Sequence, residues 1–319
     1  MKIIPLYPLI DSDVTATSIA EDDAPEWDVG TTYDADEDVI SASTHWVYRS
    51  VQTANTGNDP ETDDGTWWTP VVKTAPYRPF DGVISSSVSF AGPVTMTITP
   101  RSVISALAVF NMGASCVTLE VATPVPTSGY SWYDFYFSEP DGRETFSQTV
   151  EMIDIGAHVY DYWTYFFGDL SATTTREALI TGFTAFPGQE IRLTFGREGE
   201  TVEIGEIKMG VPRSLGTTIT GTESEIRSYT RETVDDFGGV SLLKRAPARP
   251  ITFEFAFPFE REGDVLGLLT RMEGQLALFY ADDDLVGRGL MTLGYYTEFR
   301  LPHEAAGVTK TALTVKAVV

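Results

Sequence analysis

The sequence is poor in cysteine, histidine and basic residues. Its 319 residues include one cysteine and three histidines, and 22 Lys and Arg stand against 46 Asp and Glu. A lone Cys116, set in the apolar run 114–119, excludes a disulfide framework and predicts a buried strand thiol. The net charge of −24 repels phosphates, so we expect binding neither to nucleic acid nor to anionic membrane surfaces.

Long hydrophobic runs are also missing. The apolar N-terminus is interrupted by Pro5 and Pro8 and ended by Asp11, which leaves no signal-peptide core and no cleavage site. No later stretch reaches the length of a membrane span. We therefore expect synthesis in the cytoplasm without a signal peptide, and no membrane insertion.

Catalytic motifs are not found in the sequence. His45, His158 and His303 fall in three different predicted units, and none lies in a recognisable motif. There is no Gly-X-Ser-X-Gly elbow and no phosphate-binding glycine loop. A pair of glycosidase carboxylates stays open, because such pairs leave no spacing in a sequence, but no particular pair is indicated. The prediction is a protein that is not an enzyme and has no cofactor.

Metal ligands were sought among the acidic clusters. The run Asp34–Asp38 has the alternating carboxylates that open a calcium loop, but Val39 replaces the required glycine and His45 the bidentate glutamate. The cluster Asp282–Asp284 either holds a cation or is a solvated turn. No cysteines and histidines have zinc spacing, so no metal site is predicted.

Alternation of apolar and polar residues dominates from residue 76 to 212. Runs such as 94–99 and 191–195, separated by turn signals such as Pro187-Gly188, predict antiparallel strands and a β-sandwich. Residues 186–189 and 203–210 resemble the last strands of galactose-binding-like jelly rolls. The alternative is a closing hairpin in which Gly205 permits close approach of another backbone.

The last hundred residues form a second β-rich unit. Residues 251–257 alternate strictly and predict a strand, while Val265, Leu268, Leu269 and Met272 have the spacing of one short amphipathic helix. Further strands are predicted at 276–280, 289–294 and 313–318. This order resembles small β-barrel domains with one flanking helix that form rings at phage tail tips.

A short aromatic and turn-rich segment lies between residues 24 and 70. The run Trp27–Tyr33, followed by Val39, Tyr48, Gly57 and Asn58-Asp59-Pro60, resembles the small chitin-binding-type modules of chitinases. A similar module lies near the N-terminus of tail proteins of tailed bacteriophages. So short a segment can form only a small core, which we assign to Trp27, Tyr33 and Tyr48, with Val39.

The sugar-stacking face of such modules comes from exposed aromatic residues that follow the position of Tyr48. Gln52 and Thr53 lie near those positions here. A substitute face is predicted at Trp46, Trp67 and Trp68, and the alternative is that these tryptophans belong to the core. Two denser aromatic clusters, at 130–137 and 160–167, predict either a protein interface or a sugar-stacking face.

Together these features predict an all-β chain of four segments. They are an extended arm (1–20), the carbohydrate-binding-like module (21–75), a jelly-roll-like sandwich (76–212) and a C-terminal β-barrel-like domain with a short helix (213–319). The resemblances imply a tail-tip or baseplate subunit of a phage virion, with homo-oligomeric and other tail subunits as partners and host surface polysaccharide as a ligand. The alternative is a glycan-binding adhesin, receptor-binding protein or binding subunit of a polysaccharide-degrading system.

Overall fold

The computed structural model describes residues 1–84, 87–123, 143–154, 173–174, 176–234, 240–243, 248–282, 289–302 and 307–318. These residues are mostly β-strand in several antiparallel sheets, with one 13-residue helical segment. They form two compact units. The first comprises Met1–Pro8, Ile104–Leu107 and Lys208–Val319, and the second comprises Leu9–Val103 and Ala108–Ile207. The all-β prediction is confirmed at this level.

The strands are numbered in chain order. The first eighteen are β1 Lys2–Pro5, β2 Val14–Thr17, β3 Thr32–Tyr33, β4 Asp38–Ser41, β5 Trp46–Ser50, β6 Asn55–Thr56, β7 Trp68–Lys73, β8 Val88–Ala91, β9 Val94–Ile98, β10 Ile104–Phe110, β11 Cys116–Thr123, β12 Arg143–Glu151, β13 Ile153–Asp154, β14 Thr173–Thr174, β15 Ala178–Ala185, β16 Glu190–Phe195, β17 Thr201–Ile204 and β18 Glu206–Gly210. The others are β19 Arg213–Ser214, β20 Thr217–Thr218, β21 Glu223–Ser224, β22 Arg231–Val234, β23 Val240–Leu243, β24 Ile251–Pro258, β25 Ala277–Tyr280, β26 Met291–Arg300 and β27 Val308–Ala317. Helix α1 spans Glu262–Arg271, and short 3-10 helices span Asp11–Asp13, Arg78–Phe80 and Phe259–Arg261.

The first unit is built on one antiparallel sheet of eight strands. Their order is β19-β1-β25-β26-β27-β24-β20, and β21 also pairs with β24. The N-terminal strand β1 lies between β19 and β25, so residues 2–5 of the predicted arm complete a sheet of their own chain. The path is open and no closed barrel is found among the described strands, so the barrel predicted for residues 213–319 is not confirmed.

The core of this unit follows the predicted periodicities. Strand β24 buries alternate residues, and Phe253, Phe255 and Phe257 enter the core. Helix α1 adds Val265 and Leu269 to the same core, as its spacing predicts. The strand and helix predicted for this region are both confirmed.

The second unit contains a five-stranded antiparallel sheet in the order β12-β11-β16-β9-β2. Cys116 begins β11 and is 6% exposed, which confirms a buried strand thiol. At Gly205, an added Cβ would lie 2.4 Å from the carbonyl oxygen of Phe110. This agrees with the close backbone approach that the sequence suggested for Gly205.

The two units divide the chain differently from the four predicted segments. Strand β1 belongs to the first unit, whereas β2 pairs with β9 in the second. The arm predicted for residues 1–20 is therefore shared, because each half extends a different sheet. The module of residues 21–75 lies in the second unit and has a core of its own.

Candidate functional site

The carbohydrate-binding-like module contains two small antiparallel sheets. Strands β4, β5 and β7 form one, with β5 in the middle, and β3 pairs with β6 to form the other. In the larger sheet, Trp46 pairs with Lys73 and Ser50 pairs with Trp68. The register therefore places Trp46 at one end of the β5–β7 ladder and Trp67 and Trp68 at the other.

Four side chains form the module's core. They are Tyr33, Val39, Tyr48 and Trp68, and Trp27, Trp46 and Trp67 pack against them as partly buried neighbours. The assignment of Tyr33 and Tyr48 to the core agrees with their burial. Trp27, which the sequence also assigned to the core, is only partly buried and packs against it.

Trp68 is a core residue rather than part of a surface. Its side chain is 1% exposed, its indole N–H donates a hydrogen bond of 2.8 Å to the Asn58 carbonyl, and its ring meets that of Tyr33 edge to face at 5.2 Å. A ring with no exposed face cannot stack on a sugar. The structure thus corrects the surface role predicted for Trp68 and supports the alternative.

Trp46 is half-buried, and a cation lies over its ring. The Lys73 ammonium is 5.4 Å from the ring centroid, within the range of a cation–π interaction. The same ammonium forms a 2.8 Å ion pair with Asp11 and donates to the Thr44 carbonyl at 3.1 Å. These contacts with Asp11 and Thr44 hold the Lys73 ammonium in place, so it occupies one face of the Trp46 ring.

Trp67 is held by the loop that precedes β7. The Asp63 carboxylate accepts hydrogen bonds from the backbone amides of Gly65, Trp67 and Trp68, at 2.9, 3.1 and 3.0 Å. These bonds fix the chain direction at the point where the Trp68 ring turns into the core. Trp67 is left half-buried at the rim.

Trp46 and Trp67 lie at opposite ends of the β5–β7 ladder. The pairing position of Trp68, Ser50, is offset from Trp46 by four positions along β5, which is about 13 Å along a strand. Rings that contact each other have centroids about 4.5–7 Å apart. The two half-buried tryptophans are therefore separate rings, and the predicted three-tryptophan platform is not assembled.

A polar cluster that sequence reasoning missed lies around His45. Its Nδ1 is 3.0 Å from Glu21, and its ring stacks on Tyr77 with centroids 3.8 Å apart. The Thr74 hydroxyl donates to the same Glu21 carboxylate at 2.7 Å. Burial, together with the charges of Glu21 and Asp11, raises the pKa of Tyr77.

This cluster is not arranged for nucleophilic catalysis. A nucleophile is activated when its hydroxyl is hydrogen-bonded to the imidazole that takes its proton. The Thr74 hydroxyl instead contacts the Glu21 carboxylate and the His45 backbone carbonyl, the latter at 3.4 Å. Through Glu21, the cluster connects the segment before the module's sheets to His45 and to Thr74, which directly follows β7. Its role is therefore structural.

A groove of about 880 Å³ lies in the first unit along helix α1. Three arginines line it, Arg213, Arg261 and Arg271, together with one carboxylate, Asp264. Arg261 donates to the Ser214 carbonyl at 2.7 Å, and Arg271 donates to a carbonyl of its own helix. Arg213 is distant in the sequence from Arg261, Asp264 and Arg271, and no motif signals the groove.

The predicted cation turn at Asp282 holds a cation of the chain itself. Asp282 accepts a 2.7 Å bond from the α-ammonium of Met1 and a 2.9 Å bond from the Thr218 amide. Burial raises the pKa of Asp282, but these hydrogen bonds and the ammonium charge outweigh it and hold the pKa below its ordinary value. Asp283 and Asp284 lie outside the described residues.

Other predicted features also lie outside the described residues. These are His158, His303 and the aromatic clusters at 130–137 and 160–167. In the part of the chain that is described, no three His, Cys, Asp or Glu side chains are grouped as metal ligands. No helix there has the length and apolar character needed to cross a membrane.

Comparisons with known proteins give no relative for this chain. No protein-family model, no curated protein and no solved structure matches it.

Proposed function

We propose that this chain is a structural subunit of a tailed-phage tail tip or baseplate, located in the virion tail. Its β-rich units join copies of the chain, with other tail or baseplate subunits, into a ring. The module of residues 21–75 adopts a chitin-binding-type fold, decorates the ring and touches host surface polysaccharide. Residues 76–212 form a galactose-binding-like sandwich beside it, and the chain performs no catalysis.

One observation carries this proposal: the module has a separate aromatic core within a β-rich chain. Tyr33, Val39, Tyr48 and Trp68 form that core, and three of them, Tyr33, Val39 and Tyr48, stand at positions on which the resemblance to phage tail modules is based. The larger sheets have cores of their own. A small module attached to larger β structure is the organisation expected of such tail proteins.

The glycan-binding adhesin is the second candidate, because Trp46 and Trp67 remain half-exposed. The burial of Trp68 argues against the adhesin, because it leaves two separate indole side chains in place of one continuous sugar-binding platform. Two separate indole side chains are better suited to a weak contact with a glycan than to forming the sole binding site of an adhesin.

Electron microscopy of the purified full-length chain in negative stain tests the proposal. We expect closed rings whose abundance rises with protein concentration. Particles of monomer size at every concentration, from a chain that binds bacterial surface polysaccharide, would instead favour the adhesin. A Trp46→Ala/Trp67→Ala variant is the matched control, because it should form rings normally and lose only the polysaccharide contact.

A further inference from the structure

Within the described residues, the arginines of the groove differ from most other arginines in having no ion-pair partner. Eight arginines in the described residues form salt bridges with a carboxylate: Arg49, Arg78, Arg101, Arg176, Arg192, Arg197, Arg227 and Arg300. Arg213, Arg261 and Arg271 form none in the described part of the chain, although acidic residues outnumber basic ones two to one. We call their surroundings the arginine groove.

The module has the opposite excess. Two of its loops, residues 34–37 and 59–64, carry seven carboxylates, none of which is in a salt bridge within the described residues: Asp34, Asp36, Glu37, Asp59, Glu61, Asp63 and Asp64. Hydrogen bonds from Ser41 and Ser43 hold the pKa of Glu61 below its ordinary value, and bonds from Thr66 do so for Asp64. We call these two loops the acidic loops.

We propose that the arginine groove of one copy of the chain receives the acidic loops of a second copy. The proposal rests on the proposed function, in which copies of the chain assemble, and it names the two surfaces that meet. Three guanidiniums against one carboxylate in the groove complement the ionised carboxylates of the acidic loops. The groove has a volume of about 880 Å³ and is open to solvent.

Such a contact joins two different surfaces of the same chain. A contact of this head-to-tail kind generates either a closed ring or an open filament, whereas a two-fold contact stops at a dimer. A head-to-tail contact of this kind is thus compatible with the proposed ring, whereas a two-fold contact is not.

The groove side is tested by an Arg213→Glu/Arg271→Glu variant. Arg261 is left unchanged, because it donates to the Ser214 backbone. The matched control, Arg227→Glu/Arg300→Glu, makes the same change in net charge at exposed positions outside the groove. We expect the groove variant to weaken self-association at least about tenfold, measured by sedimentation velocity, and the control to leave it within about threefold.

The acidic side is tested by replacing Asp34, Asp36, Asp59 and Asp64 with asparagine. Asparagine keeps a hydrogen-bonding oxygen and tolerates the left-handed backbone of Asp36, whose φ is 69°. The control replaces four exposed glutamates outside the module, Glu198, Glu223, Glu232 and Glu260, with glutamine.

Mixing the two variants is the decisive experiment. Each has one surface disabled, so at a concentration where each variant is a monomer alone, a mixture retains one intact interface and should form a dimer that grows no further. Raising NaCl from about 50 mM to about 500 mM should dissociate that dimer, because salt screens exposed charges. A mixture that stays monomeric overturns the inference.

The outcomes separate this inference from the proposed function. If the wild-type chain and both variants form rings equally well, the groove is not the interface, while assembly itself stands. If the wild-type chain is a monomer at every concentration and salt, the inference and the ring both fail.

Discussion

Replacing Trp68 with alanine should unfold the module while the rest of the chain stays folded. Removing a buried aromatic ring costs about 3–5 kcal/mol. Trp68 is 1% exposed, and the loss includes its hydrogen bond to Asn58 and its edge-to-face contact with Tyr33. A core as small as this one supplies no more than about 3–5 kcal/mol. The substitution thus removes about as much stability as the module has.

Hydrogen exchange of the full-length chain, read by mass spectrometry, measures this effect. Amides of β4, β5 and β7 should lose their protection in Trp68→Ala, while those of β9, β11 and β16 keep theirs. Trp68→Phe keeps a ring in the core but leaves the Asn58 carbonyl without its donor, at a cost of about 1–3 kcal/mol, and should remain folded.

Trp67→Ala is the matched control, because it removes a half-buried tryptophan at the adjacent position. It should leave most of the protection in place. If the module of Trp68→Ala exchanges as slowly as the wild type, the assignment of this residue to the core is refuted.

Three other predictions concern stability. The pKa of Asp282 is lowered in the folded chain, so its ionised form stabilises the fold at pH values above the pKa of the unfolded chain, and that contribution is lost as the pH falls through the folded-state pKa. Asp282→Asn should flatten this acid dependence in urea unfolding between about pH 6 and pH 3. Gly205→Ala should lower the unfolding free energy by about 1–3 kcal/mol, because the added Cβ would collide with the Phe110 carbonyl. Its control is Gly267→Ala, in a helix and with open space around the added Cβ, which should raise the unfolding free energy by up to about 1 kcal/mol. Asp63→Ala removes the acceptor of three amides and should speed their hydrogen exchange, and an Asp63→Asn variant that exchanged equally fast would contradict the role of that oxygen.

Local periodicity is what made strand β24 and helix α1 predictable. Each buries one face, so burial repeats every two residues in the strand and at three- and four-residue steps in the helix. Such repeats are visible in any sequence that has them. Cys116 was predictable from the apolar run 114–119 in which it stands.

Long-range pairing could not be predicted in the same way. Strand β1 pairs with β25, about 275 residues later, and nothing in either segment identifies the other. The arginine groove could not be predicted for the same reason. Arg213 lies on β19, whereas Arg261 directly precedes α1 and Arg271 ends it. Only the folded chain brings these residues together.

The tryptophans show where pattern reasoning stops. Trp67 and Trp68 are adjacent and chemically identical, and their different exposures depend on how β7 pairs with β5. The Asp63 loop, which sets the chain direction at that point, carries no recognisable signature. Sequence alone could therefore leave both roles open but not choose between them.

We propose that copies of the chain assemble into a ring and that this assembly does not depend on the binding of polysaccharide. Light scattering of the purified full-length chain, with and without fragments of bacterial surface polysaccharide, tests it most directly. The account predicts a ring-sized mass that does not depend on the polysaccharide. A strict monomer that gains only the mass of bound polysaccharide would contradict it.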